Sequence, residues 1–438
     1  MTQLLERRVR NGRHAGRGGL MRAPIDRVAA AAPLIVLLAA GCSEPAPEST
    51  VDAAAPPASS AMLYEGARLI IGDGDVIDNG TFVVEDGRFV AVGQTGAVTV
   101  PAGTPSVDLA GKTVMPAIVD THVHMSQTRD ALIEDLRQRA TQGISAAMSL
   151  GFDADDDLLA LRDDSIPGIA RFRSAGRGIT RPEPGRNDTP HWVNTEAEAR
   201  QAVREEAARD VDIIKIWVDD RNGQYDALGP ELYTAIIDEA HQQGVRVTAH
   251  VFYLEDAKGL LRAGVDAFAH GVRDRDIDDE FIALVRERPD VVLVPNLPSR
   301  GMPTDLSWLE GVLPADEFAS LEAANVEQPS AWEFHGIQAR NLARLAEAGM
   351  RIAIGTDGNT FWGPHVEIED MVAAGMSPSD VIVAATRNSA EFVGLTDAGT
   401  IEPGKRADFI VLDANPLDDI TNTRRIADVY LDGERVSR

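Results

Sequence analysis

Gln243-Gly-Val-Arg-Val-Thr-Ala-His250 and Ala263-Gly-Val-Asp-Ala-Phe-Ala-His270 are one device written twice: a helical stretch that stops at glycine, a short apolar strand, and a histidine at the strand's far end. Ala348-Gly-Met-Arg-Ile-Ala-Ile-Gly-Thr-Asp357 repeats it with aspartate in the last place, and Gln142-Gly-Ile144 opens a fourth copy without such a residue. Glycine takes the left-handed conformation that closes a helix, so each copy predicts helix, stop and strand. Short apolar strands separated by helices build a parallel sheet. Eight strand candidates follow, at 117–122, 144–149, 169–175, 212–218, 246–252, 266–270, 291–296 and 351–355. Eight such units predict an α/β fold, a (β/α)8 TIM-like barrel with its chemistry at the C-terminal strand ends. A doubly wound open sheet is the alternative, and would gather its ligands at one switch point.

Six residues of metal-ligand type stand in, at or just past these strand ends. His122 and His124 close Met115-Pro-Ala-Ile-Val-Asp-Thr-His-Val-His124, Lys215 lies inside Asp212-Ile-Ile-Lys-Ile-Trp-Val218, and His250, His270 and Asp357 end the repeats. Alternate residues of a strand share a face, so His122 and His124 can serve one ion. Lys215 is the odd member. An ammonium among Ile, Ile, Ile, Trp and Val suffers a desolvation penalty of several kcal/mol unless paired, neutralised or modified. Its tail could instead lie at the strand end and pair with a carboxylate such as Asp219.

Together these motifs resemble the metal-dependent amidohydrolase superfamily over roughly residues 61–438. Val114 to His124, Lys215, His250, Ala269-His-Gly271, Gly355-Thr-Asp357, Ala385-Thr386 with Asn388, and Gly399-Thr-Ile-Glu-Pro-Gly-Lys-Arg-Ala-Asp-Phe-Ile-Val-Leu412 carry the likeness. Within the prolidase-like and imidazolonepropionase-like branch, it resembles most the amidase and prolidase-like members that carry a lysine on the fourth strand. The resemblance implies two divalent metal ions, with zinc the default for imidazole and carboxylate donors. His122, His124 and Asp357 would bind the more buried ion and His250 and His270 the more exposed one. Lys215, carbamylated by carbon dioxide, would bridge them. The implied reaction is hydrolysis of a carbon–nitrogen amide bond by metal-activated hydroxide, with Asp357 as general base and then general acid. Small N-acyl amino acids or dipeptides are the favoured substrates. A mononuclear deaminase or cyclic-amide hydrolase is the runner-up, and a non-catalytic lipid-anchored binding protein the least favoured reading.

Specificity is expected from the loops. Tyr253 follows the fifth strand and could donate to a carbonyl or a substrate carboxylate. Arg177, Arg181 and Arg186 lie after the third strand with His191 and Trp192 beyond, and Arg181 could clamp a carboxylate bidentately. His365, in the loop after the eighth strand, is a further candidate for substrate contact. His241 and His335 fall in helical stretches and read as structural. Arg181-Pro-Glu-Pro-Gly-Arg-Asn-Asp188 departs from the Gly-rich stretch of many prolidase-like relatives.

The N-terminal region answers a different question. A basic lead, Met21-Arg-Ala-Pro-Ile-Asp-Arg27, precedes an apolar run to Ala40 too short to stay in a membrane as a permanent helix. Its end, Leu38-Ala-Ala-Gly-Cys42, resembles a bacterial lipobox, with Cys42 as the lipidated mature N-terminus. Residues 1–42 are therefore read as a signal peptide, with Met21 a second candidate start, and 43–61 as a flexible Pro-, Ala- and Ser-rich tether. Segments 62–115 and 396–438 alternate as short strands with Gly turns and predict one small composite β-sandwich domain beside the barrel of 116–395. The single cysteine excludes an internal disulfide. A formal charge of −27, near −32 after Cys42 maturation, disfavours nucleic acid and offers no polybasic membrane patch. The expected protein is exported, faces the periplasm, and is anchored to the outer membrane only through its lipid. A homo-oligomer is compatible with this reading.

Overall fold

The structure, a computed structural model, describes residues 61–100 and 102–438. The calls on the signal peptide, Cys42 and the tether up to residue 60 lie outside the described residues.

Eight parallel strands make the barrel: Ile118–Val123, Ile144–Ser149, Arg171–Ser174, Ile214–Val218, Val247–Val251, Ala267–Ala269, Val292–Val294 and Arg351–Ile352. Ladders join the first three and, separately, the last five. Two seams close the ring. Asp212 N–H donates to the Ser174 carbonyl at 2.9 Å, while Thr121 N–H reaches the Ile354 carbonyl at 3.0 Å and Val123 bridges Gly358 in parallel. The repeat that opens the sequence takes the expected form. Helix Leu254–Ala263 stops at Gly264, at φ 101°, whose N–H caps the carbonyls of Leu260 and Leu261, and Gly143, Gly244 and Gly349 likewise sit at positive φ.

Strand alternation then decides what faces inward. Ile214, Ile216 and Val218 pack outward with Val247, Ala249 and Val251 in the cluster shared with the helices. The intervening Lys215, Trp217, Thr248 and His250 must therefore turn to the barrel interior. A register irregularity between Asp120 and Val123 shifts the phase of the first strand. Val119 belongs to the inner cluster, whereas Val123 packs with Leu132 and Leu136 of the following helix.

Both chain ends build the second layer. One hydrogen-bonded sheet runs through Glu434–Arg435, Ile426–Leu431, Phe409–Leu412, Thr113–Pro116, Met62–Ile70, Val76–Glu85 and Arg88–Gln94, with Ser106–Asp108 beside Met62–Ile70. It curls over an aromatic core. Phe409 lies 5.1 Å from Phe82 and 5.9 Å from Phe89 between ring centroids, although several strands separate them in the sheet. Arg171 of the third barrel strand pairs at 2.7 Å with the buried Asp408, tying barrel to sheet. Thr113–Pro116 runs straight into Ile118–Val123, so the sheet anchors the strand that ends in His122 and His124.

Candidate active site

His122, His270 and Asp357 converge at the C-terminal mouth of the barrel, each offering a ligand atom within 4.8 Å of the others. Nε2 of His122 and of His124 lie 3.3 and 3.1 Å from Asp357 Oδ1, and His270 Nε2 lies 3.4 Å from Oδ2. The His250 ring stands edge-on to His270 at 4.6 Å. Three residues here hold positive φ without being glycine: His270 at 132°, Asn296 at 47° and Asp357 at 53°. Such conformations cost about 1–3 kcal/mol each and persist where the surroundings impose them, typically at functional sites. Gly355 permits the approach, because a Cβ there would come within 2.7 Å of His122 Cβ and 2.8 Å of Asn296 Nδ2.

Burial sets the protonation. It holds His122 and His270 well below the usual imidazole range and pulls His250 down to about 3, so these rings are neutral and keep a lone pair to donate. Burial pushes the Asp357 carboxyl up, but His122, His124 and Lys215 outweigh it and keep the group ionised. His122 Nδ1 meets Asn296 Oδ1 at 2.9 Å, which places the proton on Nδ1 and leaves Nε2 facing Asp357. Nε2 of His122, which faces Asp357, is buried without a hydrogen-bond partner, and Nε2 of His124 and of His270 converge on the same carboxylate. Among the described residues this set of neutral imidazole nitrogens around one carboxylate fits a cation.

Lys215 is fully buried and its Nζ has no hydrogen-bond partner. Burial lowers its pKa to about 7, against the pull of Asp357. The pairing with Asp219 is not formed. Asp219 is taken by Arg221 Nη1 at 2.7 Å and by His250 Nε2 at 2.9 Å. Trp217 packs on Gly151 and Gly178, where a Cβ would come within 2.4 and 2.2 Å of its ring, and walls the lysine from solvent.

Residues 113–436 match the sequence profile of the amidohydrolase family. The chain belongs to the amidohydrolase family. Deinococcus radiodurans imidazolonepropionase is 27% identical over 84% of this chain and 94% of its own length, and Eubacterium barkeri enamidase is 27% identical over 86% and 95%. A solved Bifidobacterium longum structure described as a candidate prolidase superposes with a TM-score of 0.69 at 29% identity, covering 87% of this chain and 96% of the other. This amidohydrolase is thus a hydrolase of a metal-dependent superfamily whose members act on small amides.

Four expected substrate contacts are placed elsewhere or engaged. His191 Nε2 binds the buried Glu206 at 2.8 Å. Arg181 pairs with Asp226 at 3.2 Å and reaches the carbonyls of Val193 and Asn194, bracing its own loop. His365 is fully buried, with Nδ1 on Thr423 Oγ1 at 3.1 Å and Nε2 on the Gln142 carbonyl at 3.0 Å, so neither nitrogen is free for a ligand. Tyr253 donates to Asp220 Oδ1 at 2.8 Å, one loop from His250. Sequence reasoning missed Asn296, Arg221 and Arg273. Arg273 carried a readable signal, since it follows His270 by three residues at the active end of a strand.

Proposed function

We propose that this amidohydrolase cleaves the amide bond of small N-acyl amino acids or dipeptides at a centre for two divalent ions. The observation that carries this reading is Lys215, a buried and unpartnered amine, neutral in good part at neutral pH, beside a carboxylate and neutral imidazoles. Such an amine would add carbon dioxide with release of a proton, and the carbamate so formed would be a carboxylate-like ligand available to both ions. His122, His124 and Asp357 would hold one ion, and His250 and His270 the other. Divalent cations there, zinc by donor type, would acidify a water and polarise the scissile carbonyl.

The chain's own residues do the rest. Asn296 orients His122, and Asp219 orients His250. Asp357, ionised and with a side chain 37% exposed, accepts the proton of the attacking water and delivers it to the departing nitrogen as the new C–O bond forms and the C–N bond breaks. Trp217 and Phe152, stacked at 5.4 Å, exclude bulk water beside His124 and Lys215. A one-ion deaminase or cyclic-amide hydrolase is the second reading, supported by the three-residue group His122, His270 and Asp357. Export with Cys42 as the lipidated N-terminus remains part of the proposal, and rests on the lipobox-like sequence alone.

A panel of N-acetyl amino acids, dipeptides and cyclic amides tests the reaction. Hydrolysis of the first two classes, lost roughly 10²- to 10⁴-fold in Asp357→Asn, is the expected result. Turnover confined to cyclic amides or to deamination would replace the proposal by its alternative.

A further inference from the structure

Arg273 is the cation of the mouth that the fold leaves unmatched. Its backbone N–H is pinned to the Phe252 carbonyl at 2.9 Å, which fixes the residue between the fifth and sixth strand ends. Its Nε is buried and has no hydrogen-bond partner, and among the described residues no carboxylate forms an ion pair with its guanidinium. Three residues past His270, it lies near enough to Asp357, Asp219 and Arg221 for all three to act on it electrostatically. Arg221 is the instructive neighbour. It spends its guanidinium on Asp219 at 2.7 Å and Glu183 at 2.9 Å and is a finished structural pair.

The guanidinium, half-buried with its Nε shut away, keeps its proton, and leaving it unpaired is costly unless an anion arrives during the working cycle. The whole chain carries −27, with many acidic groups free to pair. Arg139 also lacks a carboxylate pair, but its Nη1 donates to Asn359 Oδ1 at 3.0 Å within the packing of its helix, whereas Arg273 stands at the strand-end mouth. The requirement is an anion of carboxylate geometry, which a planar two-pronged donor matches.

We propose that Arg273 binds the free carboxylate of the substrate and so restricts this enzyme to amides whose departing amine is an amino acid with that carboxylate free. The inference rests on the amide-hydrolase reading and adds to it the residue that selects the substrate's charge. Arg273 replaces the loop arginine, Arg181, as the carboxylate receptor.

The test compares a pool of N-acetyl-L-amino acids with the matching neutral carboxamides, using the full-length zinc-reconstituted protein. The wild-type enzyme should favour the carboxylates by roughly 10- to 100-fold in kcat/KM, mostly through KM, as expected for a charge-assisted bond. Arg273→Met should bring that ratio close to one, and Arg273→Lys should restore part of it. A purely structural role would depress both series together and leave the ratio standing, which would overturn the proposal. So would a wild-type enzyme with no preference. Arg273→Gln serves if Arg273→Met fails to fold. Should neither series be hydrolysed, the reaction reading fails, and calorimetric titration of the same compounds decides the inference. Carboxylate-selective binding lost in Arg273→Met supports it, and equal binding of acid and amide contradicts it.

Discussion

Lys258 and Lys215 are both shut away from solvent, in opposite company. On the helix Leu254–Ala263, Lys258 has a side chain 4% exposed and its Nζ touches Asp278 at 2.6 Å, Glu280 at 2.9 Å and Glu255 at 3.1 Å. Those three carboxylates raise its pKa. On the fourth barrel strand, Lys215 is fully buried with no hydrogen-bond partner, its Nζ 5.4 Å from the Trp217 ring centroid, and its pKa falls to about 7. Where this fold uses a lysine for structure, it surrounds the charge. Asp219, four residues past Lys215, could have been such a partner but is held by Arg221 and His250. Withholding the counterion keeps the amine reactive, and the same contrast separates the matched Arg221 from the unmatched Arg273.

Substitution should expose the difference. Lys215→Ala should lose metal and lower kcat/KM on the order of 10³-fold or more, several kcal/mol of transition-state stabilisation, with metal analysis and kinetics as the readouts. Lys215→Glu, which supplies a permanent carboxylate, should recover part of both. Full metal content and activity in the alanine variant would break the contrast. Asn296→Ala frees His122 from its orienting partner, and metal affinity should fall roughly 10- to 100-fold by competition with a chelator. Lys258→Met should change least, with turnover retained and only a small drop in thermal midpoint, because its partners Glu255, Asp278 and Glu280 are exposed and water can take the lysine's place on them. A large loss of activity there would show that the two lysines are not so different after all.

How far the sequence reached can be traced on the same residues. The Gly-to-strand repeat at 243–250 and 263–270 marked the barrel because each glycine must leave the helical conformation and each strand is too short and apolar for a surface sheet. Four strand positions were legible for that reason and the other four from their apolar runs between helical stretches, although the last ladder stops at Ile352. Gly355 there gives way to close packing on His122 and Asn296. Candidate residues at strand ends could be read because the fold dictates which end faces the chemistry. The loop residues could not. Whether His191, Arg181 or His365 is available depends on Glu206, Asp226, Thr423 and Gln142, partners brought in by tertiary packing that no local pattern announces. Arg273 had a signal in its place three residues past His270, but what singles it out from other loop arginines is a partner that is absent.

The most direct test of the contrast is to load the protein with 13C-labelled bicarbonate and zinc and observe the carbamate carbon by NMR at pH 8 and pH 6. Carbamylation needs the neutral amine, whose fraction rises as pH climbs through about 7. The account predicts one carbamate signal per chain, formed more completely at pH 8 and absent in Lys215→Ala. A fully metal-loaded, active protein with an unmodified Lys215 would contradict it.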